Sequence, residues 1–171
     1  MFEGFAHVWT PVALSTDLRR DKPLGLVVAG TPVALFRDAD GRVAALLDRC
    51  PHRGVSLSLG EVKKGCLACP FHGWELDAKG HVCRVPWNPD AKLTTLRGVT
   101  FPARELGGQI WIYTAPVEEP PSEPEVHPSI VAPGVRVSGL VVEWKTHWTR
   151  AMENMLDWPQ DRKSTRLNSS H

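Results

Sequence analysis

A chain of 171 residues, 42% of them hydrophobic, can bury one proper core and part of a second. Its formal net charge of +1 and lack of a basic patch argue against a nucleic-acid partner, and no apolar run approaches the roughly twenty residues of a membrane helix. The first residues, Met1-Phe2-Glu3-Gly4-Phe5, lack the charged start and apolar centre of a secretion signal, so a cytoplasmic location is expected.

In chain order, Phe5 to Leu14 is a mixed apolar segment whose Pro11 predicts an edge strand or an extended lead-in. His7 within it reads as a packed or surface residue. Leu24–Ala29, Thr31–Arg37 and Arg42–Asp48 read as short strands, the last two joined by the acidic turn Asp38-Ala39-Asp40-Gly41. The alternation Val33, Leu35 and Val43, Ala45, Leu47 predicts an antiparallel meander, which leads into Cys50-Pro51-His52-Arg53-Gly54. After sixteen residues following His52 comes a second string of the same kind, Cys69-Pro70-Phe71-His72-Gly73-Trp74. Between them, Leu57 to Gly65 is expected to be a polar turn and Cys66 to Cys69 a short strand. Trp74–Asp77 and His81–Val85 flank the turn Ala78-Lys79-Gly80, with His81 at the surface, and Phe101–Glu105 pairs with Gln109–Tyr113 in a last hairpin.

Each of the two Cys-and-His strings offers one soft thiolate and one imidazole. Such mixed ligation suits a single zinc, or an iron–sulfur cluster whose two irons have different environments. A zinc ribbon usually takes ligands two to four residues apart, so Cys50-x-His52 is short for it, although Cys69-x-x-His72 would pass. Gly54 and Gly73 stand where each loop must turn tightly. Of the four cysteines, Cys66 and Cys83 are left over. In a reducing compartment they read as small buried apolar residues rather than a disulfide.

These strings resemble the Rieske [2Fe–2S] domain, and Cys-Pro-His-Arg-Gly with Cys-Pro-Phe-His-Gly-Trp is similar to the version in Rieske non-haem iron oxygenases. The resemblance implies an all-β fold, an antiparallel small barrel or sandwich over residues 5–114 with two cluster-binding loops. It implies that Cys50 and Cys69 hold one iron of a [2Fe–2S] cluster and His52 and His72 the other. With Gly73 and Trp74 after His72, no Ser or Tyr hydroxyl is at hand to hydrogen-bond the sulfurs, which predicts the low-potential end of the Rieske range.

From Ala115 to Gly134, six prolines in twenty residues predict an extended connector between domains. Val135 to Lys145 alternates and reads as a long strand, and Trp148 to Asp157 as a helix; residues 135–159 would open an α+β catalytic domain. Glu153-Asn154-x-x-Asp157 resembles the string that introduces the mononuclear iron of Rieske oxygenases. By that resemblance Asp157 links a neighbouring subunit's cluster to the iron site. The family's His positions hold Gln160 and Thr165 instead. Asp161 to His171 resembles the in-frame translation of a common sequencing-adapter DNA at all eleven codons, and the adapter's preceding A would turn an interrupted His codon into the CAA of Gln160. Residues 160–171 are therefore expected to be a non-native tail, and the chain a fragment ending at Pro159.

The intact parent, by resemblance, is an oxidoreductase: a mono- or dioxygenase that hydroxylates or O-demethylates a small, aromatic substrate at a mononuclear Fe(II). It takes electrons from an NAD(P)H-dependent reductase or a ferredoxin, and forms a homotrimer or hetero-oligomer. The chain alone is expected to bind the cluster and turn over no substrate. A free-standing Rieske ferredoxin-type carrier is the alternative, but it has no use for the connector or for Glu153-Asn154-x-x-Asp157. A zinc-binding interaction module is a third, distinguished by its silence in visible absorption and EPR.

Overall fold

The computed structural model describes residues 1–139 and 141–156. Two compact units are distinguished, Met1–Gly139 and the segment from Leu140 onward. The first is all-β. Its strands in chain order are β1 (Trp9–Leu14), β2 (Leu24–Val28), β3 (Thr31–Arg37), β4 (Val43–Leu47), β5 (Glu61–Lys63), β6 (Cys66–Ala68), β7 (Glu75–Leu76), β8 (Val82–Arg84), β9 (Thr100–Phe101), β10 (Ala103–Leu106) and β11 (Gln109–Tyr113). They form three antiparallel sheets in the orders β1-β11-β10, β2-β3-β4-β9 and β5-β6-β7-β8. The expected meander is β2-β3-β4, and β1 is an edge strand, as Pro11 requires.

The alternation that marks β3 and β4 tells only half of their story. Val33 and Leu35 join Phe2, Phe101, Ile110 and Ile112 in one core, while Ala34 and Phe36 join Leu46, Leu67, Leu76 and both Cys50 and Cys69 in another. β3 is thus apolar on both faces, as a strand covered on both sides must be. The core with the two cysteines lies under the ligand loops.

Several expectations need correction. The segment Leu57–Gly65 is not merely a turn: it contains a 3₁₀ turn at Leu57–Leu59 and strand β5. Phe101–Glu105 is not one strand. Pro102 has no N–H to give a ladder, and the chain changes sheets there, β9 pairing with β4 and β10 with β11. The core also reaches beyond Phe5, because Phe2 is buried, its N–H donating to Thr31 Oγ1 at 2.6 Å and its ring meeting Phe101 edge-on. Cys66 is half-buried and Cys83 exposed, and their sulfurs stand 3.1 Å apart, so they are not two separate core residues.

The long strand expected over residues 135–145 is not formed among its described residues. Val135, Val137, Val141, Val142 and Trp144 are all exposed, and no described strand pairs with them. Alternation supplies two usable faces, but a strand also needs a neighbour to take its N–H and C=O groups. The connector is fastened rather than loose. Arg104 holds the Glu123 carboxylate with two bonds of 2.7 and 2.8 Å and lies over the Trp9 ring, whose Nε1 donates to Ser122 O.

Gly65 closes the β5–β6 turn at φ +79°, and a Cβ there would lie 2.1 Å from the backbone N of Ala39. Gly65→Ala combines a left-handed backbone with a collision against backbone, and is expected to cost about 2–3 kcal/mol. Urea denaturation reads this as a lower midpoint; an unchanged midpoint would show that the two turns do not approach so closely.

In the second unit, the expected helix is α1 (Trp148–Leu156), with an Arg150–Glu153 ion pair of 2.9 Å one turn apart. Glu153 and Asn154 are exposed on it; Asp157 and residues 160–171 lie outside the described residues.

Candidate metal centre

Both ligand strings become loops of one backbone design. In the first, Cys50 N–H donates to Val55 O at 2.8 Å and Gly54 N–H to Cys50 O at 2.8 Å. In the second, Cys69 N–H donates to Trp74 O at 2.8 Å and Gly73 N–H to Cys69 O at 3.0 Å. Gly54 and Gly73 have φ of +71° and +68°, the left-handed conformation that lets each loop return on itself without a Cβ clash. Aligned on these bonds, the strings read Cys-Pro-x-x-Gly, with the imidazole at the third position of one loop and the fourth of the other. The unequal spacings in the sequence are therefore two side-chain placements on equal turns.

The loops bring the four candidates together in two pairs. Cys50 and Cys69 are 4% and 3% exposed and belong to the same core. Burial pushes the Cys50 thiol up, the Cys69 thiol beside it adds to this, and the backbone N–H groups of His52 and Arg53 pull it down. On the outer side, the rings of His52 and His72 lie with centroids 4.7 Å apart. Desolvation, with His72 and Arg53 nearby, holds His52 below the usual imidazole range, and the neutral ring is the form that binds metal.

This donor set fits the group the resemblance implies. Two sulfurs and two ring nitrogens arrive as separate pairs, and each iron of such a cluster takes one pair. A single zinc would instead need all four to converge on one ion.

Two supporting residues escaped the sequence reading. Asp48, buried just ahead of the first loop, accepts from Ser58 N–H at 2.7 Å and Ser58 Oγ at 2.6 Å, tying the chain entering that loop to the 3₁₀ turn that follows it. An acidic residue between an apolar strand and a loop is a signal for such side-chain bonds to backbone. Trp74 stacks on His52 with centroids 4.6 Å apart and planes 2° from parallel, so the second loop supports the imidazole of the first. His81 stays outside the site, its Nδ1 3.3 Å from Asp77 Oδ2.

The family model described as Rieske [2Fe-2S] domain matches residues 8–98. The chain is 31% identical over 152 residues to the 3-chlorobenzoate-3,4-dioxygenase oxygenase subunit of Comamonas testosteroni, covering 87% of this chain and 35% of that one. It is 36% identical over 154 residues to the oxygenase component of dicamba O-demethylase of Stenotrophomonas maltophilia, covering 88% and 44%. Among solved structures, dicamba monooxygenase bound to dicamba is similar at a TM-score of 0.68 and 38% identity, over 75% of this chain and 39% of that one. The chain thus spans less than half the length of these relatives.

Proposed function

Since the chain belongs to the Rieske [2Fe–2S] domain family, we propose that it carries the electron-transfer portion of an O₂-dependent oxygenase. In this reading Cys50 and Cys69 hold one iron as thiolates, and His52 and His72 hold the other through neutral imidazoles. The cluster, when bound, supplies a one-electron store. The chain's own residues do the rest. The apolar core around Cys50 and Cys69 keeps water from the sulfur side, and the N–H groups of His52 and Arg53 stabilise the Cys50 thiolate. Exposed His52, braced by Trp74, gives electrons a short path to and from the surface. The observation that carries the reading is the pair of equal loops bringing two thiols inward and two imidazoles outward.

The names of the relatives support hydroxylation or O-demethylation of a small aromatic molecule by the whole protein; a mononuclear Fe(II) as the site of that reaction is part of the same proposal. An NAD(P)H-dependent reductase or a ferredoxin would donate the electrons, and Asp157 would relay them toward a partner subunit's iron. A cytoplasmic location and a homotrimeric or hetero-oligomeric state belong to the same proposal. No described helix is long and apolar enough to cross a membrane.

Purified chain should show visible absorption, and an EPR signal on reduction. A colourless, EPR-silent preparation containing zinc would overturn the assignment. EPR-monitored redox titration should place the midpoint toward the lower end, about −150 mV, of a Rieske range that extends to roughly +300 mV. Gly73 and Trp74, the two residues directly after His72, carry no hydroxyl, and hydrogen bonds from hydroxyls to the cluster sulfurs raise the potential. A strongly positive midpoint would contradict this.

A further inference from the structure

We propose that Cys66 and Cys83 are a reversible disulfide site that cross-links β6 to β8 at the stem of the second ligand loop. Cys66 opens β6, three residues before Cys69, and Cys83 lies in β8, after the loop has returned through β7. The two strands are not neighbours in the sheet, since β7 runs between them. The sulfurs meet because of a bulge. Glu75 pairs with Arg84 and Leu76 with Val82, so Cys83 is an extra residue with no partner of its own. A bulge re-aims the side chain it inserts, and here the Cys83 sulfur comes to 3.1 Å from Cys66 Sγ and 3.3 Å from the carbonyl oxygen of Glu75. A disulfide sets its sulfurs about 2 Å apart, so closure asks for a shift of roughly 1 Å.

Access and proton placement both suit slow, reversible oxidation. Cys83 is exposed and Cys66 half-buried, so a small oxidant reaches the pair while Cys50 and Cys69 stay covered. Cys83 donates its proton to Glu75 O. Although the residue as a whole is exposed, desolvation where its sulfur packs against Cys66 and Glu75, helped by the adjacent Cys66 thiol, pushes the Cys83 thiol up to about 12. It therefore remains a thiol at neutral pH, and oxidation quickens as pH rises. The oxidant class is a small disulfide. One protein thiolate attacks a sulfur of glutathione disulfide, forming a mixed disulfide and expelling one glutathione thiolate. The second protein thiol then displaces the other glutathione. One protein S–S bond has formed and the glutathione S–S bond has broken. The two protein thiol protons end on two glutathione thiols, so the protein loses two electrons and glutathione disulfide gains them.

The ring so closed contains Cys69 and His72. In the oxidised chain the second loop would be pinned at both ends, a consequence that rests on the cluster reading, whereas the pairing of the sulfurs does not.

The test treats the whole cluster-loaded chain with glutathione disulfide, caps free thiols, digests without reductant and maps the peptides by mass spectrometry. The expected product joins the Cys66 peptide to the Cys83 peptide, is reversed by dithiothreitol, and is missing from Cys66→Ser and Cys83→Ser. The bridged chain should melt about 5 °C or more above the reduced chain. Free capping of both thiols after oxidation would overturn the proposal, as would stable glutathione adducts on both or dimers linked through Cys83. Bridge formation in a preparation without visible absorption would leave the disulfide standing and remove the cluster reading.

Discussion

Cys69→Ser is expected to abolish the visible absorption and the reduced-state EPR signal of the chain, whereas Cys83→Ser leaves both intact. The difference lies in what each sulfur touches. Cys69 is almost wholly buried, and its backbone N–H and C=O close the second loop onto Trp74 and Gly73. Serine keeps that backbone but offers a hydroxyl, a harder and far weaker ligand for iron in a thiolate position. Removing groups one step away from a metal already costs roughly 10–100-fold in affinity, so removal of a ligand should leave no more than about a tenth of the cluster per chain. A buried hydroxyl without a partner adds about 1–2 kcal/mol of destabilisation. Iron and sulfide analysis alongside absorbance per chain measures the first effect. Full cluster content in Cys69→Ser would remove Cys69 from the ligand set. Cys83, exposed on β8, has no such role and serves as the control.

Arg37→Met is expected to cost about 3 kcal/mol in stability, the largest loss outside the metal ligands. Arg37, at the end of β3, uses all five of its N–H donors. Nε donates to Leu18 O at 3.1 Å, Nη1 to Gly41 O at 2.9 Å, and Nη2 to Ser15 O at 3.1 Å. The remaining two hold Glu105 on β10 in a two-pronged pair of 2.9 and 3.1 Å. The guanidinium thus joins the β2-β3-β4-β9 sheet to the β1-β11-β10 sheet and to the segment between β1 and β2. Methionine fills much of the same volume but leaves three carbonyls and a carboxylate without their donor. Glu105 is about a third exposed, so water recovers part of its loss.

The pH dependence gives a second readout. The bond from Arg37 is the main cause that holds the Glu105 carboxyl below the usual carboxylate range, with partial burial opposing it. A lowered folded pKa stabilises the chain above the unfolded value of about 4.3, and that stability is lost as pH falls through the folded value. The gap between native and Arg37→Met chains should therefore be full at pH 7 and narrow below about pH 4. A gap that stayed constant would mean that only the carbonyl bonds matter.

The residues that were easiest to read in the sequence are those whose constraint is local. The turn Asp38–Gly41 between two alternating runs is enough to specify β3 and β4, and the Cys-Pro-x-x-Gly pattern fixes each ligand loop through bonds spanning four or five residues. What escaped depends on distant partners. Nothing near Phe2 in the chain announces that Thr31 and Phe101 will cover it, and nothing near Arg37 marks Glu105 as its partner. The Cys66–Cys83 pairing hangs on a bulge, a register detail that alternation does not encode. Pro102 was a visible signal of a changed partner, yet its apolar neighbours suggested one continuous strand. At 135–145 the error ran the other way, because a sound strand pattern has no described partner strand.

The two-faced burial of β3 bears on how the molecule comes apart. Its odd-numbered side chains, Val33 and Leu35, are set in one core and its even-numbered ones, Ala34 and Phe36, in the other, the one that houses Cys50 and Cys69. Peeling β3 away therefore exposes both cores at once. Such sharing couples the two cores in global melting, because the strand cannot be lost from one without being lost from the other. β3 is thus the strand that the two cores have in common.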